Sequence, residues 1–321
     1  MPLELARTEL HRKPWGVHDI RPWHKQVPTQ IRTGEISYER NTRTIPPPAL
    51  CLKILLADQP LSIQVHPDDT YAKTIGLPSG KTEAWYIVRA APGAQIGVGL
   101  TQHLSRAQLR LAIADGSIAD LLLWRTVASG DSCLIPAGTV HAIGAGLVIA
   151  EIQNRVDATF RLFDYGRGRE LHIDRGMAVA LAEPAAGLFE QCRLSDTRRL
   201  LAVSAKFIFE RLDLPPRSTW LLDAASETWF LVLSGHGTAR DLALATGDAV
   251  FACQDKIALR IQDKGLTALI AYEGSGPNSM LMQKTDGNIA EQDGQVPDAQ
   301  ILTGLTSAMT AFTRPRGRSH L

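Results

Sequence analysis

An excess of charge of either sign is what this chain most plainly lacks. Its 321 residues carry 34 Lys and Arg against 33 Asp and Glu, a formal net charge of +1, and neither a basic stripe nor an acidic tail breaks the balance. Such a chain is not expected to take nucleic acid or a membrane as its main partner, and any anionic ligand must be met by charge gathered locally. Long apolar runs are missing too. No stretch approaches ~18 uncharged apolar residues, and the opening MPLELARTELHRKPWG has no apolar h-region, so the expectation is a cytoplasmic protein with neither signal peptide nor spanning helix. Cysteine is scarce: Cys51, Cys133, Cys192 and Cys253 lie far apart with no Cys-x-x-Cys pair. That spacing argues against a disulfide framework and a thiolate zinc site, so a metal would need other ligands.

The length exceeds one typical core, and a duplicated unit is a natural way to fill it. TEAWYIV (82–88) recurs as SETWFLV (226–232), and each copy is followed by a Gly-Asp that opens another strand, in SGDSCLIPAG and in TGDAVFACQD. Short alternating strands between Gly, Pro and Asp predict an all-β chain of two jelly-roll barrels in tandem. The expected layout is a first barrel over 1–180, a connector over 181–199, a second barrel over 200–287 and a polar tail over 288–321. Glu83 stands 47 residues before Gly130 but Glu227 only 20 before Gly247, so the first copy carries an insertion of 27. The insertion, about 104–125, reads as helical: Ser105 is an N-cap with Gln108 three residues on, Leu104 can staple to Leu109, and a second short helix is expected from Ser117 through IADLLLWR.

Polar residues in apolar strands carry the chemical signal. In LSIQVHPDD (61–69), Ser62, Gln64 and His66 share one face by alternation while Ile63 and Val65 take the other, and Pro67 with two aspartates ends the strand. In KTEAWYIV the same alternation aligns Lys81, Glu83 and Trp85. GDSCLIPAGTVHAIG (130–144) matches Gly-x5-Pro-x-Gly-x2-His through Gly130, Pro136, Gly138 and His141, the second motif of the cupin superfamily. Gln64, His66, Glu83 and His141 thus offer two imidazoles, a carboxylate and an amide oxygen, a set that suits one Zn²⁺ with an open position; Mn²⁺, Fe²⁺ and Co²⁺ also fit such ligands. Aligning Gly130 with Gly247 puts Ala258 where His141 stands, so the second copy keeps Glu227, lacks the histidine and is expected to bind no metal.

A third cluster, EIQNRVDATFRLFDYGRGRELHID (151–174), gives Glu151, Asp157 and Arg161 the same parity and concentrates Arg161, Arg167 and Arg169. Guanidinium groups hold phosphate in a planar, bidentate way, which points to an anionic substrate near the metal.

With QVHPDD, GKTEAWYIV, PAGTVHAIGAG and DATFRLFDYGR in this order, the chain resembles the type I mannose-6-phosphate isomerases of the short bacterial kind. The resemblance is strong from about Trp15 to Ile173. It implies a zinc-dependent cupin that interconverts mannose 6-phosphate and fructose 6-phosphate, with Gln64, His66, Glu83 and His141 as metal ligands and Arg161 as the active-site arginine. The stretch QNRV before Asp157 departs from the small polar residues usual in the family. Lys81, Glu151, Asp157 and a metal-bound water stand as candidate bases for a proton moved through an enediol, and Lys81, Arg161 and Arg167 as candidate substrate contacts. Two other functions compete, a non-catalytic sugar-phosphate-binding cupin and a cupin dioxygenase, the latter disfavoured because only two histidines fall in the motifs.

Overall fold

The computed structural model describes residues 3–24, 31–42, 47–185, 191–285 and 291–292. Twelve strands come first: β1 (Glu4–Leu5), β2 (Arg7–Val17), β3 (Thr33–Glu39), β4 (Leu50–Ala57), β5 (Ile63–Val65), β6 (Glu83–Ala90), β7 (Gln95–Leu100), β8 (Leu122–Thr126), β9 (Ser132–Ile135), β10 (His141–Ile143), β11 (Leu147–Asn154) and β12 (Phe160–Phe163). Helices α1 (Asp69–Thr74), α2 (Arg106–Asp115), α3 (Ile118–Leu121) and α4 (Ile173–Val179) lie among and after them. Ten more strands follow: β13 (Cys192–Arg193), β14 (Arg198–Val203), β15 (Phe207–Leu214), β16 (Thr219–Ala224), β17 (Thr228–Ala239), β18 (Leu242–Ala245), β19 (Ala249–Ala252), β20 (Asp255–Glu273), β21 (Met282–Lys284) and β22 (Glu291–Gln292). The fold is all-β. Apart from Glu291 and Gln292, the C-terminal tail expected from residue 288 lies outside the described residues.

The strands form three antiparallel sheets: a six-stranded one in the order β2-β3-β4-β11-β6-β9, a five-stranded one in the order β12-β5-β10-β7-β8, and an eleven-stranded one made of β1 and β13 to β22. Alternation sorts the six-stranded sheet into two apolar faces. Leu55, Trp85, Ile87, Leu147 and Ile149 point between the six- and five-stranded sheets, where they meet Ile96, Val98 and Ile143. Leu52, Ile54, Ala84, Tyr86, Val148 and Ile152 point the other way, onto Phe207, Phe209, Trp229 and Phe251 of the eleven-stranded sheet. The central strands are therefore buried on both sides, and every residue of β11 is buried. Even the carboxylate of Glu151 lies in that wall.

The helical insertion covers the outer face of the five-stranded sheet. Leu109, Ile113 and Ile118 pack with Val65, Ala142 and Leu162. The expected capping box is formed, with Ser105 and Gln108 bonded reciprocally, and Gly116 closes α2 at φ 84°. Leu104 and Leu109 are buried in one cluster. The second helix is shorter than expected. It stops at Leu121, and residues 122–126 form β8 against β7 instead. LLLW satisfies either period, and the open edge of β7 decides between them by offering a ladder of hydrogen bonds. Gly97 makes room there, since a Cβ at that position would stand 2.1 Å from Leu122 Cδ2.

The repeated Gly-Asp turn is real in three dimensions. Gly130 donates to Ile87 O and Gly247 to Val232 O, while Asp131 and Asp248 each accept from the backbone three residues earlier. The repeated Glu and Trp are not equivalent, however. Glu83 and Trp85 face the interior of the first unit, whereas Trp229 packs in the layer between the units. Glu227 accepts from the backbone N–H of Ala49 and Leu50 at 2.7 and 2.8 Å. It is a tie to the neighbouring unit, a role that its place in the repeat did not announce. The interior of the second unit is filled by apolar side chains such as Phe230, Val232, Ile257 and Ile270.

Candidate metal centre and active-site cleft

Three strand ends meet between the six- and five-stranded sheets. His66 directly follows β5, Glu83 opens β6 and His141 opens β10, with His141 opposite Gln64 in the β5–β10 ladder. The Pro136–Gly138 turn places His141: Gly138 has φ 86°, and its N–H donates to His66 O at 2.8 Å. A left-handed residue at that corner is strained with any side chain but glycine's. The turn thus links the backbones of the two histidines.

His66, Glu83 and His141 are each 0% exposed, and one ligand atom from each lies within 4.8 Å of the others. His66 Nδ1 is 3.0 Å from Ala158 O and His141 Nδ1 is 2.8 Å from Thr139 O. A carbonyl can only accept, so both rings carry their proton on Nδ1 and turn the Nε2 lone pair inward. Those lone pairs face Glu83, with His66 Nε2 3.2 Å from Oε2 and His141 Nε2 3.4 Å from Oε1. Acceptor faces acceptor. His66 Nε2 and Glu83 Oε1 are buried without a hydrogen-bond partner, and Glu83 Oε2 meets only the ammonium of Lys81; a cation is what satisfies the lone pairs that remain. Gln64 Nε2 lies 3.2 Å from His141 Nε2, and Ser62 Oγ is 3.4 Å from the other end of the amide. Because a serine hydroxyl both donates and accepts, a half turn of the amide keeps that contact and brings an oxygen to the cluster. The donor set of two imidazoles, a carboxylate and an amide oxygen fits zinc or another divalent transition metal.

The electrostatics agree with neutral ligands around a carboxylate. Burial, with His66 and Lys81 adding to it, holds His141 down to about 3. Burial and then Lys81 lower His66 as well. For Glu83 burial pushes upward, but Lys81 and then the two histidines outweigh it and hold the carboxyl well below its usual range. Lys81 Nζ sits 2.9 Å from Glu83 Oε2, just before the strand that Glu83 begins.

A cleft of about 470 Å³ adjoins this cluster through Gln64 and Lys81 and is lined also by Glu151, Asp157, Arg161 and Arg169. Arg161, on β12, is the cross-strand neighbour of Gln64, and its Nε is buried without a partner. Asp157 is exposed at the rim. It does not share a strand with Glu151 and Arg161, because β11 ends at Asn154 and the chain crosses to the other sheet before β12, so the parity expected along 151–161 is broken by the crossing. Arg167 is held by Asp164 and by Pro60 O and does not line the cleft, whereas Arg169, also paired with Asp164, does. Arg155, in the stretch QNRV before Asp157, pairs through Nη1 with both oxygens of Glu39 at 3.0 Å.

Sequence reasoning missed most of the wall formed by the six-stranded sheet. Glu9, His11, Lys13 and Trp15 of β2, Glu35, Ser37 and Glu39 of β3, and Lys53 of β4 all line the cleft. Period-two polar residues in ELHRKPW and GEISYE, and a single lysine in LCLKILLA, are the same kind of signal that singled out Gln64. Lys53 lies 3.7 Å from Glu151 Oε1 and donates to Gln153 Oε1 at 3.2 Å.

No protein-family model matches the chain. Among curated proteins, mannose-6-phosphate isomerase of Streptococcus mutans is 39% identical over 165 residues, which are 49% of this chain and 52% of that protein. Mannose-6-phosphate isomerase ManA of Bacillus subtilis is 42% identical over 137 residues, 40% of this chain and 43% of that protein. The chain thus spans about half the length of the curated relatives it matches. Of solved structures, the mannose 6-phosphate isomerase from Bacillus subtilis superposes with a TM-score of 0.74 at 23% identity, covering 84% of this chain and 98% of that one. A zinc-bound mannose 6-phosphate isomerase superposes with a TM-score of 0.67 at 14% identity, covering 84% and 99%. Among the described residues no helix is long and apolar enough to cross a membrane. The architecture is the all-β, cupin-type fold of the solved mannose 6-phosphate isomerases.

Proposed function

We propose that the chain is a metal-dependent aldose–ketose isomerase that interconverts mannose 6-phosphate and fructose 6-phosphate in the cytoplasm, with the first barrel, residues 1–180, as the catalytic unit and the second, 200–287, as its support. The observation that carries this reading is the set of buried lone pairs on His66, Glu83 and His141 that face one another, completed by Gln64, which with Lys81, Glu151 and Arg161 lines the adjoining cleft. The relatives named mannose-6-phosphate isomerase support the choice of substrate. His66, Glu83, His141 and Gln64 would hold one Zn²⁺, which when bound supplies Lewis acidity toward the sugar oxygens.

The chain's own groups handle the proton. Isomerisation of the opened sugar takes a proton from C2 and returns one to C1, with the O2 proton lost and O1 protonated, through an enediol. Glu151 is the base in this reading. It is buried in the cleft wall, and burial together with the Glu83 carboxylate raises it from the ordinary carboxylic value, the direction that strengthens a carboxylate as a base. Lys81 is committed as a cation to Glu83, and Asp157 stands out at the rim. Arg161 reaches the same region as Gln64 and stabilises negative charge on the enediol oxygens, while Arg169 with its planar guanidinium suits the phosphate at the cleft wall.

The test is a coupled assay for fructose 6-phosphate formed from mannose 6-phosphate, run beside elemental analysis of the purified protein. Turnover with about one zinc per chain is expected. A protein that binds zinc but leaves mannose 6-phosphate unchanged would sink the catalytic reading.

A further inference from the structure

Lys53 is a cation in a strand that is otherwise apolar and buried, LCLKILLA. Its cross-strand partner on β11 is Glu151. The ammonium donates to Gln153 Oε1 at 3.2 Å and lies 3.7 Å from Glu151 Oε1, too far for a hydrogen bond but close for an ion pair in a poorly solvated wall. Gln153 is itself fixed, because its Nε2 donates to Asn154 O at 3.1 Å and so presents Oε1 to the lysine. On the far side of Glu151, β6 supplies Trp85, whose indole Nε1 donates to Glu151 Oε2 at 3.3 Å. One oxygen of the carboxylate is thus met from β4 and the other from β6.

We propose that Lys53 is a positioning residue for the isomerisation: held by Gln153 on the strand beside Glu151, it orients the Glu151 carboxylate and keeps it ionised to accept the substrate proton. The proposal rests on the reading of Glu151 as the base. The other charged groups bearing on Glu151 are Glu83 of β6, Lys81 in the turn before it and Glu35 of β3. Burial and the two carboxylates favour the protonated acid, and Lys53 followed by Lys81 opposes them. Lys81 already faces Glu83. Lys53 is therefore the cation on which the state of Glu151 turns.

The experiment compares zinc-loaded wild type, Lys53→Gln, Lys53→Met and Lys53→Arg in the coupled isomerase assay across pH, with zinc content and melting temperature measured on each. Lys53→Gln keeps an amide donor near Gln153 and loses the charge; Lys53→Met keeps the apolar stem and serves if the glutamine variant does not fold. Either neutral variant should lower kcat at pH 7 by roughly 10- to 100-fold with KM changed by no more than about twofold. The acid limb of the kcat profile should move to higher pH by about one unit, so that raising the pH restores much of the rate. Lys53→Arg should recover most of the rate and the wild-type limb. A folded, zinc-loaded neutral variant with the wild-type kcat and limb would overturn the proposal, and so would a loss of rate that is the same at every pH. Wild-type protein that carries zinc and does not isomerise mannose 6-phosphate overturns the proposed function instead, a result visible before any variant is made.

Discussion

Gln64 and Arg161 are cross-strand neighbours in the β5–β12 ladder, and the same row continues through Gln64 to His141 of β10. Side chains directly opposite in adjacent antiparallel strands stand about 5 Å apart at Cβ and share a face. Backbone pairing thereby sets Arg161 in the row that leads to His141, with its Nε buried and free of a partner and its Nη1 donating to Glu170 O. Arg161→Lys keeps the charge and loses the planar fork. It should lower kcat by roughly 10²-fold, the low end for removing one charge-stabilising donor, with a much smaller change in KM. Steady-state kinetics with mannose 6-phosphate decide it. A preserved kcat with a raised KM would make Arg161 a binding residue.

His141→Ala and Glu83→Ala should each abolish stoichiometric zinc binding and lose more activity than the ~10–100-fold that changes in the outer shell of a metal site cost. The fold should persist, since the cluster borders a core that includes Trp85, Ile96 and Ile149. Elemental analysis and circular dichroism check both halves. Metal retained near one per chain in either variant would mean that the ligand set is wrong.

The two neighbouring arginines should separate. Arg169 lines the cleft, and Arg169→Ala is expected to raise KM by roughly tenfold, the order of one charge-assisted hydrogen bond. Arg167 ties Pro60 O and Asp164 together outside the cleft, so Arg167→Ala should lower stability by about 1–2 kcal/mol and leave KM near its wild-type value. Urea unfolding and kinetics on the pair distinguish the roles.

Acid should destabilise the metal-free protein in a defined window. Folding lowers His141 from the ordinary imidazole value of 6.5 to about 3 and lowers His66 as well, so below pH 6.5 the unfolded chain binds more protons than the native one. Stability therefore falls as pH drops from about 6.5 toward 3, by roughly 4 kcal/mol from His141 alone at the lower end. Glu83 acts in the same direction: its folded value is depressed, so its stabilising contribution is present above 4.5 and is lost as pH falls. Melting temperatures of chelator-treated protein from pH 7.5 to 4 should decline through this range, and a flat profile would contradict the buried neutral state of both rings.

The second unit offers a stability test remote from the metal. Arg198 Nε and Nη2 each donate to Glu210 at 2.9 Å, fully buried, and the Tyr272 hydroxyl donates to the same carboxylate. Arg198→Met leaves Glu210 without its counter-charge and should cost about 3–5 kcal/mol. Zinc content of the folded fraction should not change.

Much of the site could be read locally. Gln64 and His66 stood out as polar groups in an apolar strand, the Pro-x-Gly turn announced His141, and Ser105 with Gln108 marked a helix start that the structure forms. Lys53 carried the same kind of signal and was not singled out, because its partners Glu151 and Gln153 lie about a hundred residues further on. Alternation predicts that a lysine shares a face with its neighbours at i±2; it does not say which strand lies alongside.

The amino-acid sequence by itself determined the period of the strands, the turns that end them, the capping of α2 and the candidate ligand types at each strand end, because each depends on residues within a few positions of one another. Tertiary structure alone decided which face looks into the cleft. In β11 both alternating sets are buried, one between the two sheets of the first unit and one against the second unit, so hydrophobicity cannot tell them apart. The same ambiguity allowed Glu83 and Glu227 to share a sequence pattern, TEAWYIV and SETWFLV, and yet do different things. Pairing across sheets turned Glu83 toward two imidazoles and Glu227 toward the backbone of Ala49 and Leu50. A strand exchanges its two faces with a shift of one residue, and only the elements packed on either side set that register.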